Sequence, residues 1–309
     1  MNNGLEKVKK KQVIKQFLYS RVLFFACVQV LLNGFSKKGL EIANLSIERK
    51  ILGKLRKKYK CCIDSYTAEP YVNTAAHSNK IWVCWLQGMD NAPVIVQKCY
   101  ESLRRNIIGR EIILLTEENY RDYISFPDYI EEKIVSGTIT KTHLTDLMRI
   151  ELLTSYGGTW IDATVFCSGE NIPKLLFDSD LFMFQILKPG LSGHPTRISS
   201  WFMTANVNSD ILNLTKVLLY AYWKNHSSMV SYFLLHDFIE LAIESYPEEW
   251  NKVIKISSGS AHVLQYSLGE VYNDAEYSAI IQGSCFHKLT YKAEYPDDSR
   301  LFVNVLFKE

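Results

Sequence analysis

The chain has 309 residues, 47% hydrophobic and 22% charged, so it is neither a disordered nor a fibrous sequence and can bury a sizeable core. Its formal charge of +2 hides a division, because residues 1–60 hold 15 Lys and Arg against 3 acids and leave 20 against 30 beyond, about +12 and then −10. An acidic body argues against an electrostatic grip on nucleic acid, while a basic leading segment suits an anionic surface.

The cysteines Cys27, Cys61, Cys62, Cys84, Cys99, Cys167 and Cys285 form no C-x-x-C pair and no zinc spacing, and their odd number fits a reducing cytoplasm. The first apolar run, "VLFFACVQVLL", is about eleven residues long and interrupted by Gln29. Roughly twenty are needed to span a bilayer, and no convincing cleavage site follows. The expected location is cytoplasmic, peripheral at most on the inner face of the membrane.

From Leu5 to Lys60 apolar residues such as Val13, Ile14, Phe17 and Leu18 recur at helical spacing among lysines. Two readings stand for this basic helical arm, taken as residues 1–79. It lies on an anionic membrane, each basic residue adding on the order of 1 kcal/mol, or it packs on the body with its lysines in solvent.

"IWVCWLQG" (81–88) then reads as a buried parallel strand ending in glycine. A helix follows Pro93 through "VIVQKCYESLRRN", and "EIILLT" (111–116) is a second strand. Strand, helix, strand predicts a parallel sheet with helices on its faces. "NYRDYISFPDYIEEKIVSG" reads as two helical pieces broken at Pro127. Strands are predicted at 181–186 and 199–206, and helices at 209–224 and 229–245. No repeat or linker divides residues 80–309, which form one α/β unit.

Between these lies "LTDLMRIELLTSYGGTWIDATVF" (144–166). Helical spacing puts Asp146 and Arg149 on one face and makes Leu144, Met148 and Leu152 a buried row. Gly157 ends the helix and Gly158 lets the chain turn at once into a strand. Strand alternation then puts Trp160, Asp162 and Thr164 on one face. A carboxylate in an apolar strand needs a partner, and a hard divalent metal carrying a phosphate would supply one. The plain alternative is a surface ion pair between Asp146 and Arg149, with an accidental D-x-T beside it.

"HLTDLMRIELLTSYGGTWIDATVF" resembles the signature of the capsular polysaccharide synthesis branch of the DXD-containing glycosyltransferases, a family-32-like group related to the initiating mannosyltransferases. "IWVCWLQGMDNAP" is similar to that family's first strand and "CFHKLTYK" to its closing motif, so the likeness covers roughly residues 80–292. The resemblance implies a GT-A-type, Rossmann-like α/β fold binding a nucleotide-sugar across the strand ends. The implied activity is transfer of a hexose from a UDP- or GDP-sugar to a glycan or lipid-linked glycan, with retention of configuration.

It also implies roles residue by residue. Asp146 and Arg149 match positions that contact the donor sugar and diphosphate, with Gly158 beside them. Asp162 matches the first aspartate of D-x-D, and Thr164 stands where the second is found. Mn or Mg would be held by Asp162, Thr164 and His287, although a neutral hydroxyl is a poorer ligand than a carboxylate. His287 and Lys288 would also meet the departing diphosphate. Trp82 or Trp85 would stack on the base, at most one of them reaching it, with Gln87 and Gly88 approaching the nucleotide through their backbone. Asp237, in "LLHDFIE", is a candidate for binding the acceptor. No G-x-G-x-x-G follows the first strand, which weighs against redox chemistry, while Thr164 keeps open an inert nucleotide-binding or scaffold relative.

Overall fold

The structure, a computed structural model, describes residues 13–14, 16–67, 77–169, 172–187 and 195–307. Residues 5–12, the start of the expected helical arm, lie outside them.

Residues 16–19 are helical, and α1 (Leu23–Asn33) and α2 (Lys37–Ser65) follow. The Ser36 hydroxyl caps the second by accepting from the Gly39 amide at 3.0 Å. The body then runs β1 (Lys80–Cys84), α3 (Val94–Asn106), β2 (Glu111–Leu115), α4 (Asp128–Val135) and α5 (Lys141–Tyr156). Next come β3 (Gly158–Ile161), β4 (Val165–Cys167), β5 (Leu181–Gln185) and β6 (Ile198–Ala205), followed by α6 (Asp210–Asn225) and α7 (Leu234–Ser245). Helix α8 (Asp274–Gly283) precedes β7 (Phe286–Lys288), and a short helix, α9 (Phe302–Phe307), follows.

Five strands form one sheet in the order β2-β1-β3-β6-β5. The first strand is parallel to both neighbours, Ile81 opposite Ile112 and Trp82 opposite Trp160, while β6 runs antiparallel to β3 and β5. Four strands therefore share one direction, and the mostly parallel α/β sheet read from the sequence is the one found. Its faces are both covered. Trp82, Trp160, Met183 and Met203 pack under α5, α6 and α7, and Ile81, Val83, Ile161 and Phe202 pack against α3. Strands buried on both sides are apolar throughout, which is why the run at 81–84 carries no polar alternation.

Part of the arm packs on the body. Helix α2 buries Ile47, Ile51, Leu55 and Tyr59, a row four residues apart, and Tyr59 meets Phe238 of α7 edge-on at 5.2 Å. Arg56 anchors it further through Glu244, Nε donating to Oε2 at 2.8 Å. This helix thus belongs to the packed unit, and its contacts do not stop at residue 79. The outer face of α1 and the turn after it stay open, with Phe24 84%, Leu31 73%, Leu32 75% and Phe35 75% exposed. Among the described residues, no helix is long and apolar enough to cross a membrane.

Candidate active site

A cleft of about 600 Å³ opens at the carboxyl ends of β1 and β3, the edge where ligands bind in open α/β sheets. Five pieces of chain build it. The turn after β1 brings Trp85 and Gln87, α5 brings Lys141, Asp146 and Arg149, and the turn after β3 brings Asp162 and Thr164. The start of α7 adds Tyr232 and His236, and the end of β7 adds Lys288, Tyr291 and Lys292.

Two glycines set the register of this arrangement. Gly157 closes α5 with φ +65° and Gly158 opens β3 with φ +93°. A Cβ on Gly158 would lie 2.4 Å from the Lys80 carbonyl oxygen. Only glycine lets the strand enter between β1 and β6 one residue after the helix ends.

Asp162 sits in the turn just beyond β3, not within a strand. Its amide donates to the Trp201 carbonyl at 2.9 Å, and its own carbonyl accepts from Val165 at 3.0 Å to close the turn. β4 begins there and leaves the main sheet to pair with β7, placing Val165 opposite Lys288. The carboxylate is fully engaged. Oδ1 accepts from Arg149 Nη2 at 3.0 Å and from the Trp160 indole at 2.9 Å, and Oδ2 accepts from Lys288 Nζ at 2.8 Å. Burial alone would push this carboxyl up, but the charges of Lys288 and Arg149 and the bonds from Lys288 and Trp160 outweigh it and hold it below its ordinary value.

Arg149 is itself buried, its guanidinium 5.0 Å from the centre of the Trp160 ring. Its Nη1 comes within 3.5 Å of Asp146 Oδ1. Asp146 is held from behind by His143, whose Nδ1 is 3.3 Å from Oδ2 and whose Nε2 accepts from Trp223 Nε1 at 2.9 Å. Hydrogen bonds thus link Trp223 through His143 to Asp146, and Arg149 and Lys288 to Asp162, while the 3.5 Å ion contact between Asp146 and Arg149 joins the two sets.

A family model for the capsular polysaccharide synthesis protein matches residues 35–308. The chain belongs to that family. The matched region begins ahead of α2, so the packed helix of the arm falls within it. No curated protein matches it. Among solved structures it is similar to one titled "PaToxG Glycosyltransferase", at 15% identity and a TM-score of 0.38, over 77% of this chain and 95% of that one.

Of the residues singled out in the sequence, Asp146, Arg149, Asp162, Thr164, Lys288, Trp85 and Gln87 line this one cleft. Four expectations need correction. Trp82 is fully buried beneath Tyr123 and Tyr156, and its indole donates to the Gly157 carbonyl at 3.0 Å, so it cannot reach a base. Gly88 and Gly158 shape turns and do not line the cleft. His287 points away from Lys288 on β7, fully buried near Phe166, where burial pushes its imidazole down to about 4. Asp237 is fully buried on the far side of α7, beside Glu48 of α2.

These corrections bear on the metal. As arranged, the side chains do not fit a divalent cation, because both oxygens of Asp162 already take donors and the Thr164 hydroxyl accepts from Lys288 at 2.5 Å. The described residues contain no group of three or more His, Cys, Asp or Glu able to hold one. Sequence reading also missed His236, which lines the cleft one position before Asp237. Burial brings its imidazole down to about 4 against the pull of Asp146, so it is neutral at pH 7. No local signal marked it, since α7 is buried nearly all round, Asp237 and Glu240 included.

Proposed function

We propose that the cleft binds a UDP- or GDP-linked hexose and transfers the sugar to a hydroxyl of a growing capsular or related glycan, free or lipid-linked, on a GT-A-type fold. The reading rests chiefly on charge. Arg149, Lys288, Lys292 and Lys141, the last paired outside with Glu117, line the cleft with Asp146 and Asp162, although the chain beyond residue 60 is net acidic. A local positive field in an acidic body draws in a diphosphate and stabilises it as it leaves.

The remaining groups find roles around that anion. Trp85 lines the cleft edge-on to Tyr291 at 5.3 Å, and its buried indole Nε1 has no hydrogen-bond partner. A nucleobase offers a stacking face and carbonyl acceptors to such a pair. Asp146 accepts sugar hydroxyls, and Arg149 spans from the sugar to the diphosphate. His236 and Tyr232, which also line the cleft, receive the acceptor hydroxyl.

In the reaction the bond from the anomeric carbon to the diphosphate oxygen breaks, its electron pair leaving on that oxygen. The acceptor oxygen bonds the same carbon from the same face, and the hydroxyl proton departs on the diphosphate. Configuration is retained, and no base behind the sugar is needed. The open apolar face of α1, flanked by the exposed Lys37 and Lys38, docks the protein peripherally on an anionic inner membrane.

Incubation with a panel of UDP- and GDP-hexoses, with nucleotide release and mass spectrometry of products as readouts, tests the reading. Turnover of one donor supports it. Saturable nucleotide binding without turnover of any donor makes the protein an inert, nucleotide-binding relative.

A further inference from the structure

Resting on that reading, we propose that Lys288, seconded by Arg149, takes the place of the divalent cation, so that this protein holds a nucleoside diphosphate without metal. The β4–β7 ladder sets Lys288 opposite Val165, the residue after Thr164. From there Nζ reaches Asp162 Oδ2 at 2.8 Å and Thr164 Oγ1 at 2.5 Å. Those are the two side chains of the D-x-T segment, and the ammonium lies between them where a D-x-D pair would bring a cation.

Threonine at 164 is what makes this arrangement useful. A second carboxylate there would cancel the lysine's charge, whereas a neutral hydroxyl fixes the ammonium and leaves its charge to the ligand. Two of the three N–H groups of Lys288 are used by Asp162 and Thr164, and the third remains for a phosphate oxygen. Its side chain is 23% exposed, so the tip meets the cleft. Arg149 supplies a second, independent sign. Its side chain is 5% exposed, Nη1 has only the Asp146 carboxylate at 3.5 Å, and Nε makes no hydrogen bond. Buried guanidinium donors without acceptors are rare unless a ligand completes them.

The inference accounts for two features at once. It explains how Asp162 can be neutralised inside a binding cleft, and why a neutral residue stands at position 164. Asp162 becomes the residue that positions two cations for the diphosphate.

Calorimetric titration of the full chain with UDP and with GDP, in EDTA and again in MnCl2, tests it. The better nucleotide is expected to bind in EDTA within about threefold of its affinity in manganese, and Lys288→Met to weaken it about tenfold or more in both buffers. Lys288→Arg, which keeps the charge, retains binding within about tenfold. Thermal melts confirm that each variant is folded. The Mn2+ paramagnetic resonance signal gives a readout free of nucleotide: wild-type protein leaves it unquenched, and the Thr164→Asp, Lys288→Met double variant quenches it. Binding that appears only with manganese, or quenching by the wild type, overturns the inference and leaves the transferase reading standing. Binding of neither nucleotide in either buffer overturns both.

Discussion

The Trp223 indole donates to His143 Nε2 at 2.9 Å, which leaves the imidazole proton on Nδ1, facing Asp146 Oδ2 at 3.3 Å. A tryptophan on α6 therefore fixes the tautomer that orients a carboxylate in the cleft. Trp223→Phe keeps most of the packing and removes the donor. The donor-sugar KM is expected to rise roughly 3- to 10-fold with kcat within about twofold. A lower melting temperature with unchanged KM would make Trp223 a packing residue only.

Asp162→Asn tests the centre of the site. The amide offers one acceptor oxygen where the carboxylate takes three donors, and Arg149 loses its nearest anion. Transfer is expected to fall about 100-fold or more. Stability falls by only about 1–3 kcal/mol, because the site is partly open to solvent. Initial rates and urea melts separate the two effects, and full activity in the variant would remove Asp162 from the mechanism.

Two glycines with positive φ make a contrast. Gly158→Ala drives a Cβ to 2.4 Å from the Lys80 carbonyl, whereas Gly88, at φ +77°, has nothing within 4 Å. The first substitution is expected to cost more than about 4 kcal/mol and to yield insoluble protein. The second costs about 1–2 kcal/mol. Soluble yield and urea midpoints distinguish them.

Glu48 of α2 and Asp237 of α7 bury two carboxyls together, and the Ser231 hydroxyl donates to Glu48 Oε2 at 2.9 Å. Burial pushes Glu48 up to about 7 and, with Glu48 beside it, pushes Asp237 well above its ordinary value. Both hold protons more tightly folded than unfolded, so stability falls as pH rises; the contribution of Glu48 is full below about pH 4.5 and is lost as pH rises through about 7. From Glu48 alone the loss is roughly 3 kcal/mol. Urea midpoints should fall from pH 5 to pH 8 in the wild type and fall less in Glu48→Gln. An equal fall in both would remove Glu48 as the cause.

His236→Ala is expected to raise the acceptor KM about tenfold and to leave nucleotide affinity unchanged. Asp237→Asn, one residue on but facing the arm, should leave the acceptor KM alone. Because the His236 imidazole lies near 4, transfer should show no histidine limb between pH 5 and 7. A limb near 6.5 would place the working histidine elsewhere.

Much of the molecule is legible in local pattern. The apolar runs at 81–84 and 111–115 declare buried parallel strands, and the row Leu144, Met148, Leu152 declares the inner face of α5. The double glycine marks the joint that sets Asp146 and Arg149 near Asp162, because backbone sterics act over one or two residues and are written where they occur.

Pairing across long stretches of chain was decided only in three dimensions. Nothing near residue 162 announces that Lys288, 126 residues on, neutralises it, since β4 and β7 meet through registers that no short window contains. The same holds for the antiparallel β6, for the burial of Trp82 beneath two tyrosines, and for His287 turning inward while its neighbour faces the cleft. A charge in a sequence needs a counter-charge, but only the folded chain selects which one, because proximity in space depends on how distant elements share one core.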